Sequence, residues 1–140
     1  MTQAQVQAVI LARVETALSS YATLRATDSM EDAHLAYEQA KPWVLVTLQS
    51  HEPNRWQGED EWKFMVQASV SLQPGAQADT LTASDADIAM MALLRDGINS
   101  DASYASLRGS GVCKAEITAM AEDQQSESTI NPHVFSCSTY

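Results

Sequence analysis

The sequence predicts an α+β fold, with a mainly antiparallel sheet of about four strands and two main helices packed on one face of that sheet. Residues 3–21 show helical spacing of apolar side chains, and residues 61–72, EWKFMVQASVSL, alternate with a period of two. The elements follow the order helix, short helix, strand, strand, helix, strand, strand. This order is typical of two antiparallel hairpins covered by helices.

The stretch 61–72 gives the strongest strand signal. Its apolar members fall on every second position, at Trp62, Phe64, Val66, Ala68, Val70 and Leu72. The residues between them are mostly polar or charged. Because successive side chains of a strand point to opposite faces, this pattern predicts one face in a core and one face in water.

Two helices precede this strand. The first covers residues 3–21 and carries an apolar stripe at Val6, Ile10, Val14, Leu18 and Tyr21. Thr2 and Gln5 have the spacing of a capping box at its start. A shorter helix is predicted over residues 30–40, with Ser29 as its cap and Pro42 beyond its end, because the residue before a proline is driven out of the helical region.

A third helix begins after Ser84 and ends near Gly97, which we expect to be a left-handed stop. Its predicted apolar stripe is Ile88, Met91 and Ala92 with either Leu94 or the aliphatic stem of Arg95. Asp85 and Asp87 lie in the first turn, where acidic side chains suit the helix dipole.

Three further strands are predicted at residues 42–50, 112–120 and 133–140, which are rich in β-branched and aromatic residues. The segments 51–60, 73–83 and 98–111 contain most of the turn-forming residues and are expected to be flexible loops, and 51–60 could instead be the tip of a long hairpin between two strands. The chain of 140 residues has the length of one domain, so residues 1–140 are interpreted as a single unit.

Composition excludes several classes of function. The net charge is −10 and is spread evenly along the chain, so no basic patch is present to bind nucleic acid. No apolar run approaches the roughly 20 residues of a membrane span, and the first residues show no cationic leader. These features predict a cytoplasmic protein.

Cys113 and Cys137 would fall out of register in a hairpin, which favours two reduced thiols over a bridge.

No pattern of catalytic or ligand-binding residues emerges. His34, His51 and His133 are isolated from one another and from the cysteines, which favours solvated or capping histidines over metal ligands. The glycines of RGSGV, residues 108–112, precede a strand, whereas a phosphate-binding loop precedes a helix. We therefore expect no catalytic residue, no metal and no cofactor.

Trp56 is the residue most easily interpreted as part of an interface. It lies in a charged loop, and exposed tryptophans are enriched at the centres of protein interfaces. Arg55, Glu59 and Asp60 complete the predicted interface. The alternative, in which Trp56 folds back onto its own hairpin, stays open.

The layout resembles the tail terminator proteins, also called tail completion proteins, of long-tailed bacteriophages. The resemblance rests on KPWVLVTL, EWKFMVQASVSL, SDADIAMMALLRDGI, VCKAEITAM and HVFSCSTY in that order after an amphipathic helix, and it covers residues 3–140. The segment from Thr27 to Ala40 looks like an insertion relative to that pattern.

The resemblance implies a homo-hexameric ring on the end of the tail tube, which stops tube growth and offers the head connector or neck a joining surface. It implies a virion protein assembled in the host cytoplasm, with DNA passing through the lumen without specific binding, and no enzymatic activity. Two alternatives remain: another head–tail connector or neck component, and a small α+β enzyme or ligand-binding domain.

Overall fold

Four helices and five strands make up the described part of the chain, which comprises residues 2–54, 58–70, 85–119 and 133–139 of a computed structural model. The helices are α1 (Gln3–Ala17), α2 (Met30–Glu38), α3 (Asp85–Ile98) and α4 (Asp101–Gly109). The strands are β1 (Arg25–Thr27), β2 (Trp43–Asn54), β3 (Glu59–Ser69), β4 (Val112–Ala119) and β5 (His133–Thr139).

The five strands form one mixed sheet in the order β1-β2-β3-β5-β4. All neighbouring pairs are antiparallel except β1 and β2, which are parallel. The α+β prediction is confirmed, although the described sheet has five strands where four were expected. The missed strand, β1, has only three residues, Arg-Ala-Thr, which is too short to show a period.

The alternation predicted for β3 is present in the structure. Trp62, Phe64, Val66 and Ala68 are buried, whereas Glu61 and Lys63 are exposed. These buried side chains meet those of the three neighbouring helices in the main core. The other buried members of the main core are Val6, Ile10, Val14 and Leu18; Val44 and Val46; Met90, Leu94 and Ile98; and Leu107, Val112, Ile117, Phe135 and Cys137.

Helices cover both faces of the sheet. The main core lies under α1, α3 and α4. Trp43 and Leu45, which alternate with Val44 and Val46 along β2, belong instead to a second cluster with Ala33 and Ala36 of α2. Since alternate residues of a strand point to opposite faces, α2 lies on the face away from the other helices. The prediction of two main helices on one face holds for α1 and α3.

The helix boundaries differ from the predicted ones at several ends. The capping box of Thr2 and Gln5 is formed, but α1 ends at Ala17 and not at Tyr21. The segment 98–111, predicted to be irregular, contains α4, which Ser100 caps by accepting from the Ser103 main-chain nitrogen. Serine at the buried position 103 conceals the apolar stripe that would have indicated this helix.

The segment 51–60 is not a long loop. β2 continues to Asn54 and β3 begins at Glu59, so strand pairing extends well into the segment, past an irregularity in register between Leu48 and Ser50. Arg55, Trp56 and Gln57 lie outside the described residues, as does the predicted loop 73–83.

The buried stripe of α3 is Met90, Leu94 and Ile98. The prediction placed this stripe on Ile88, Met91 and Ala92 with either Leu94 or Arg95, and only Leu94 is common to both sets. The phase was misjudged because Asp87 belongs to the buried side, as does Met90 three residues later. Asp87 is only 1% exposed, so the dipole interpretation of this residue was incomplete.

The Asp87 carboxylate connects the end of β3 to the start of α3. Its Oδ1 accepts hydrogen bonds from the Ser69 hydroxyl at 2.6 Å and from the Val70 main-chain nitrogen at 2.8 Å. Hydrogen bonds to a charged acceptor are stronger than neutral ones, and a carboxylate is tolerated inside a protein only with such partners. Asp87 therefore fixes how the chain enters α3 relative to the sheet.

Gly97 allows a close approach between helices, and it does not stop α3. The helix continues to Ile98, and the described glycines with positive φ are Gly58 and Gly111. A Cβ atom placed on Gly97 would lie 2.7 Å from the Ala17 Cβ and 3.2 Å from the Ala17 Cα. The absence of a side chain thus sets the distance between the ends of α1 and α3.

The cysteine prediction is not decided by the fold. Cys137 is buried and its main chain lies opposite Ala115 in the β4–β5 ladder. The side chain of Cys113 lies outside the described residues. The preference for two thiols stays a prediction.

We expect Gly97→Ala to destabilise the protein, because the added methyl group collides with Ala17. Gly109→Ala is the matched control, since a Cβ there meets nothing within 4 Å. Because both substitutions replace a helical glycine, the difference between them isolates the collision, which should be about 1–3 kcal/mol in the free energy of unfolding. Urea denaturation of the two variants measures it, and equal stabilities would contradict the proposed close approach.

We expect Asp87→Ala to lower the free energy of unfolding by about 3 kcal/mol, because two hydrogen bonds to a buried carboxylate are lost. Asp87→Asn keeps an oxygen acceptor of similar shape without the charge, so it should cost less. Urea denaturation of both variants tests the order. An Asp87→Ala variant as stable as the native protein would show that the connection between β3 and α3 is dispensable.

Candidate interaction surfaces

Two of the predicted interface residues, Glu59 and Asp60, lie where β3 begins. Glu59 and Asp60 are the first residues of β3, where they pair with Asn54 and Pro53 and are partly buried. They are therefore strand residues, not members of a charged loop. The assignment of Trp56, Arg55, Glu59 and Asp60 to an interface stays a prediction, because the two residues at the centre of the set lie outside the described chain.

A cluster of side chains covers the core at the base of the β2–β3 hairpin. The rings of His51 and Trp62 stack with their centroids 3.7 Å apart and their planes 5° from parallel. The His51 Nε2 lies 3.6 Å from the Asp60 Oδ2, a distance at which a protonated imidazole forms an ion pair. The His51 ring therefore covers one face of the Trp62 indole and helps to bury it.

The same indole connects two strands. Trp62 Nε1 donates a hydrogen bond of 2.9 Å to the Thr139 hydroxyl, and both residues are buried. Buried tryptophan N–H groups require such an acceptor. This contact joins β3 to β5 and gives the hairpin a rigid base. This hydrogen bond has a structural role, because the indole N–H and the hydroxyl are partners of each other and both residues are buried.

A second surface is formed by α2, which exposes large hydrophobic side chains and buries only small ones. The exposed large hydrophobic residues of the described chain are Met30 (43% exposed), Leu35 (52%), Tyr37 (39%) and Leu93 (41%), and three of these four belong to α2. The helix buries Ala33 and Ala36 against the sheet. A surface helix usually does the reverse, so the outer side of α2 is a candidate docking surface.

The start of α2 is held by short polar contacts from β1. The Ser29 hydroxyl accepts from the Asp32 main-chain nitrogen, and the Ser29 main-chain nitrogen donates to the Thr27 hydroxyl at 3.0 Å. Asp32 accepts from Thr27 and from the Arg25 guanidinium at 3.3 Å. The Arg25–Asp32 pair is exposed, so these contacts orient the helix more than they stabilise the protein.

The end of α2 adopts a geometry that usually requires glycine. The Lys41 main-chain nitrogen donates to the Ala36 carbonyl and the Ala40 nitrogen to the Tyr37 carbonyl, which is the hydrogen-bond pattern of a Schellman motif. Ala40 occupies the left-handed position with a φ of 57°. This conformation costs an alanine about 1–2 kcal/mol. Both ends of α2 are thus closed by specific hydrogen bonds, and its outer surface is presented in a defined orientation.

A cavity of about 510 Å³ lies beside α2 at the β1 end of the sheet. Its lining combines the exposed Leu35 with the charged side chains of Arg25, Asp32 and Lys41. β1 is the outermost strand on this side of the described sheet. An apolar residue ringed by charges of both signs, next to an open strand, has the character of a protein-binding surface.

A second depression, of about 550 Å³, lies across β3, β5 and β4 and includes Glu61, Lys63 and Glu116. All three charged side chains are exposed. Catalytic groups are normally found in desolvated pockets with a few converging polar atoms. Exposed charges of this kind supply no such environment, so this depression carries no argument for catalysis.

Two further expectations concern a metal site and a membrane-spanning helix. Within the ranges that the structure describes, no group of three or more histidine, cysteine and acidic side chains is placed to hold a metal ion. The described helices are too short or too polar to cross a membrane. The expectations of no metal and no cofactor stay predictions.

No protein-family model matches the chain, and no curated protein matches it. The function must therefore be argued from the surfaces themselves. Sequence reasoning found the hairpin but missed the α2 surface, because Met30, Leu35 and Tyr37 do not share one helical stripe. The available signal was the pair of alanines, Ala33 and Ala36, between larger apolar neighbours.

We expect Trp62→Phe to lower the free energy of unfolding by about 1–3 kcal/mol, since a buried hydroxyl at Thr139 loses its donor. Thr139→Val removes the hydroxyl at nearly constant shape. In the double variant the loss should be smaller than the sum of the two single losses, because no buried polar group is left behind. Denaturant titration of all four proteins measures this coupling, and strict additivity would show that the contact between the side chains is unimportant.

Proposed function

We propose that this protein is a non-enzymatic structural subunit of the tail terminator kind, which forms a ring on the phage tail tube, ends tube polymerisation and offers a joining surface to the head or neck. The observation that carries the self-assembly part of the proposal is the exposure of Leu35, with Met30 and Tyr37 exposed at other positions around α2. The resemblance in element order supports the tail terminator part.

The exposed α2 surface lies within the segment that distinguishes this chain from the pattern it resembles. The inserted segment runs from Thr27 to Ala40 and includes α2 with its closing hydrogen bonds at both ends. An insertion whose helix exposes three large hydrophobic side chains is more consistent with a contact surface than with a spacer. In the proposed ring, α2 of one protomer lies on its neighbour.

A closed ring requires two different surfaces on each protomer, because head-to-tail contacts join unlike patches. The α2 surface supplies the first. The second, on our proposal, is the hairpin end with Trp56, Arg55, Glu59 and Asp60. The net charge of −10 is compatible with a lumen through which DNA passes, since basic residues there would hold the duplex by counterion release.

The energy available from α2 is modest for each subunit. Fully burying a leucine stabilises a complex by roughly 1.5–3 kcal/mol, and Leu35 has about half of its surface still to bury. Met30 and Tyr37 add contributions of the same order. A ring repeats each contact around its circumference, so modest contacts accumulate.

We expect the purified protein to form a species of about six subunits, and Leu35→Glu to convert it largely to monomers, because a charge would be buried at the contact. Leu93→Glu is the matched control: Leu93 is comparably exposed at 41% but lies on α3, on the opposite face of the sheet. Multi-angle light scattering across micromolar concentrations measures the masses, and circular dichroism checks that both variants fold.

A native protein that is monomeric at micromolar concentration would contradict the ring. A native ring that survives Leu35→Glu would remove α2 from the contact while leaving the ring intact. To separate a terminator from another neck component, the ring is mixed with growing tail tubes. A terminator shortens the tubes and is found at one end of each, whereas a neck component leaves tube length unchanged.

A further inference from the structure

The strand β4 is the outermost strand at the end of the sheet opposite to β1. It is eight residues long, and among the described strands it pairs with β5 alone. The main-chain N–H and C=O groups on the other side of such a strand are able to pair with a strand of another molecule. Whether these main-chain groups are covered therefore affects how the protein associates with other molecules.

One side chain occupies the middle of this edge. The Asn99 carboxamide donates from Nδ2 to the Ile117 carbonyl at 3.1 Å and accepts at Oδ1 from the Ile117 main-chain nitrogen at 2.9 Å. In an antiparallel ladder, a hydrogen-bonded residue exchanges these same two bonds with its partner. Asn99 thus takes the place that a residue of an added strand would occupy opposite Ile117.

The position of Asn99 is set by the helices on either side of it. Ile98, the last residue of α3, is buried in the main core, and Ser100 caps α4. The Asn99 main-chain nitrogen donates to the Arg95 carbonyl at 3.0 Å, which continues the helical pattern. Asn99 itself is exposed, so it contributes little to the core, and its two bonds to Ile117 are the contacts that distinguish it.

The same edge has neighbouring positions that Asn99 does not cover. Because the main-chain groups of a strand alternate in direction, those of Ala115 and Ala119 point to the same side as those of Ile117. Without the Asn99 carboxamide, the outward main-chain groups of Ile117 would lose the contact that occupies them.

We propose that Asn99 is a guard residue that prevents the β4 edge from pairing with the β4 edge of a second copy of this chain. Two copies related by a two-fold axis at Ile117 would place Ala115 opposite Ala119 in an antiparallel pair. This register sets Glu116 opposite Thr118, so like charges do not face each other. The edge is therefore complementary to itself, and Asn99 is what closes it.

Association through β4 would be separate from the ring proposed above, which uses α2 at the other end of the sheet. It would also be unwanted in a ring, because a two-fold contact at β4 would join rings to one another. Asn99 accordingly favours association through α2 over association through β4.

The test compares Asn99→Ala with Ser100→Ala. Asn99→Ala removes both bonds to Ile117, and Ser100→Ala removes the α4 cap without uncovering the edge. Light scattering over a range of concentrations should show species of at least twice the native mass for Asn99→Ala, increasing with concentration, and the native mass for Ser100→Ala. Native mass for Asn99→Ala at every concentration overturns the proposal, and so does equal association of both variants.

A second-site change identifies the surface involved. Ala115→Pro removes an outward main-chain donor, and proline is tolerated on edge strands where its nitrogen faces solvent. In the Asn99→Ala background it should restore the native mass. Association that persists in the double variant would place the contact elsewhere and overturn the proposal.

Hydrogen exchange on the native protein tests the premise without any substitution. The Ile117 amide should be protected from exchange, because the Asn99 Oδ1 accepts its hydrogen bond. An Ile117 amide that exchanges as fast as that of an unfolded chain would show that Asn99 does not protect the edge.

Discussion

The central position of β3 is the constraint on which the rest of the structure depends. This strand pairs with β2 on one side and β5 on the other, and its alternate side chains from Trp62 to Ala68 form the floor of the main core. A shift of one residue in either pairing would turn these side chains toward water and would bury Glu61 and Lys63. The burial of one face therefore fixes the register of three strands together. The helices α1 and α3 can then pack only on the face that these side chains define.

The sequence was informative where one pattern extended over many residues, and uninformative where a single contact decided the outcome. The alternation of β3 and the stripe of α1 could be predicted because each repeats several times. The helix α4 could not, because Ser103 occupies a buried position and breaks the stripe. Asp87 was assigned to a helix dipole, since its hydrogen-bond partners at the end of β3 are 17 and 18 residues away. The α2 surface was missed for a related reason, because helical spacing alone does not tell which side of a short helix faces a sheet.

The two ends of the sheet are chemically unlike. At one end, α2 presents large apolar side chains beside the short strand β1, with both ends of the helix closed by hydrogen bonds. At the other end, the longer strand β4 has the Asn99 carboxamide across its middle residue. The proposed ring joins the α2 end to the β2–β3 hairpin, because head-to-tail association joins unlike patches, and it does not use the β4 end. The proposed ring thus uses the α2 end of the sheet, and the proposed guard residue Asn99 prevents association at the β4 end.

The strand order has a consequence for the way the chain acquires its structure during synthesis. β5 lies between β3 and β4, so residues near position 139 pair with a strand that was made some 77 residues earlier. Until that late segment leaves the ribosome, β3 has one unsatisfied side and the indole of Trp62 lacks its hydroxyl acceptor. Distant pairings of this kind form slowly and leave apolar strands open to aggregation in the meantime. The nascent polypeptide therefore has an unpaired side at β3 until residues 133–139 are available to pair with it.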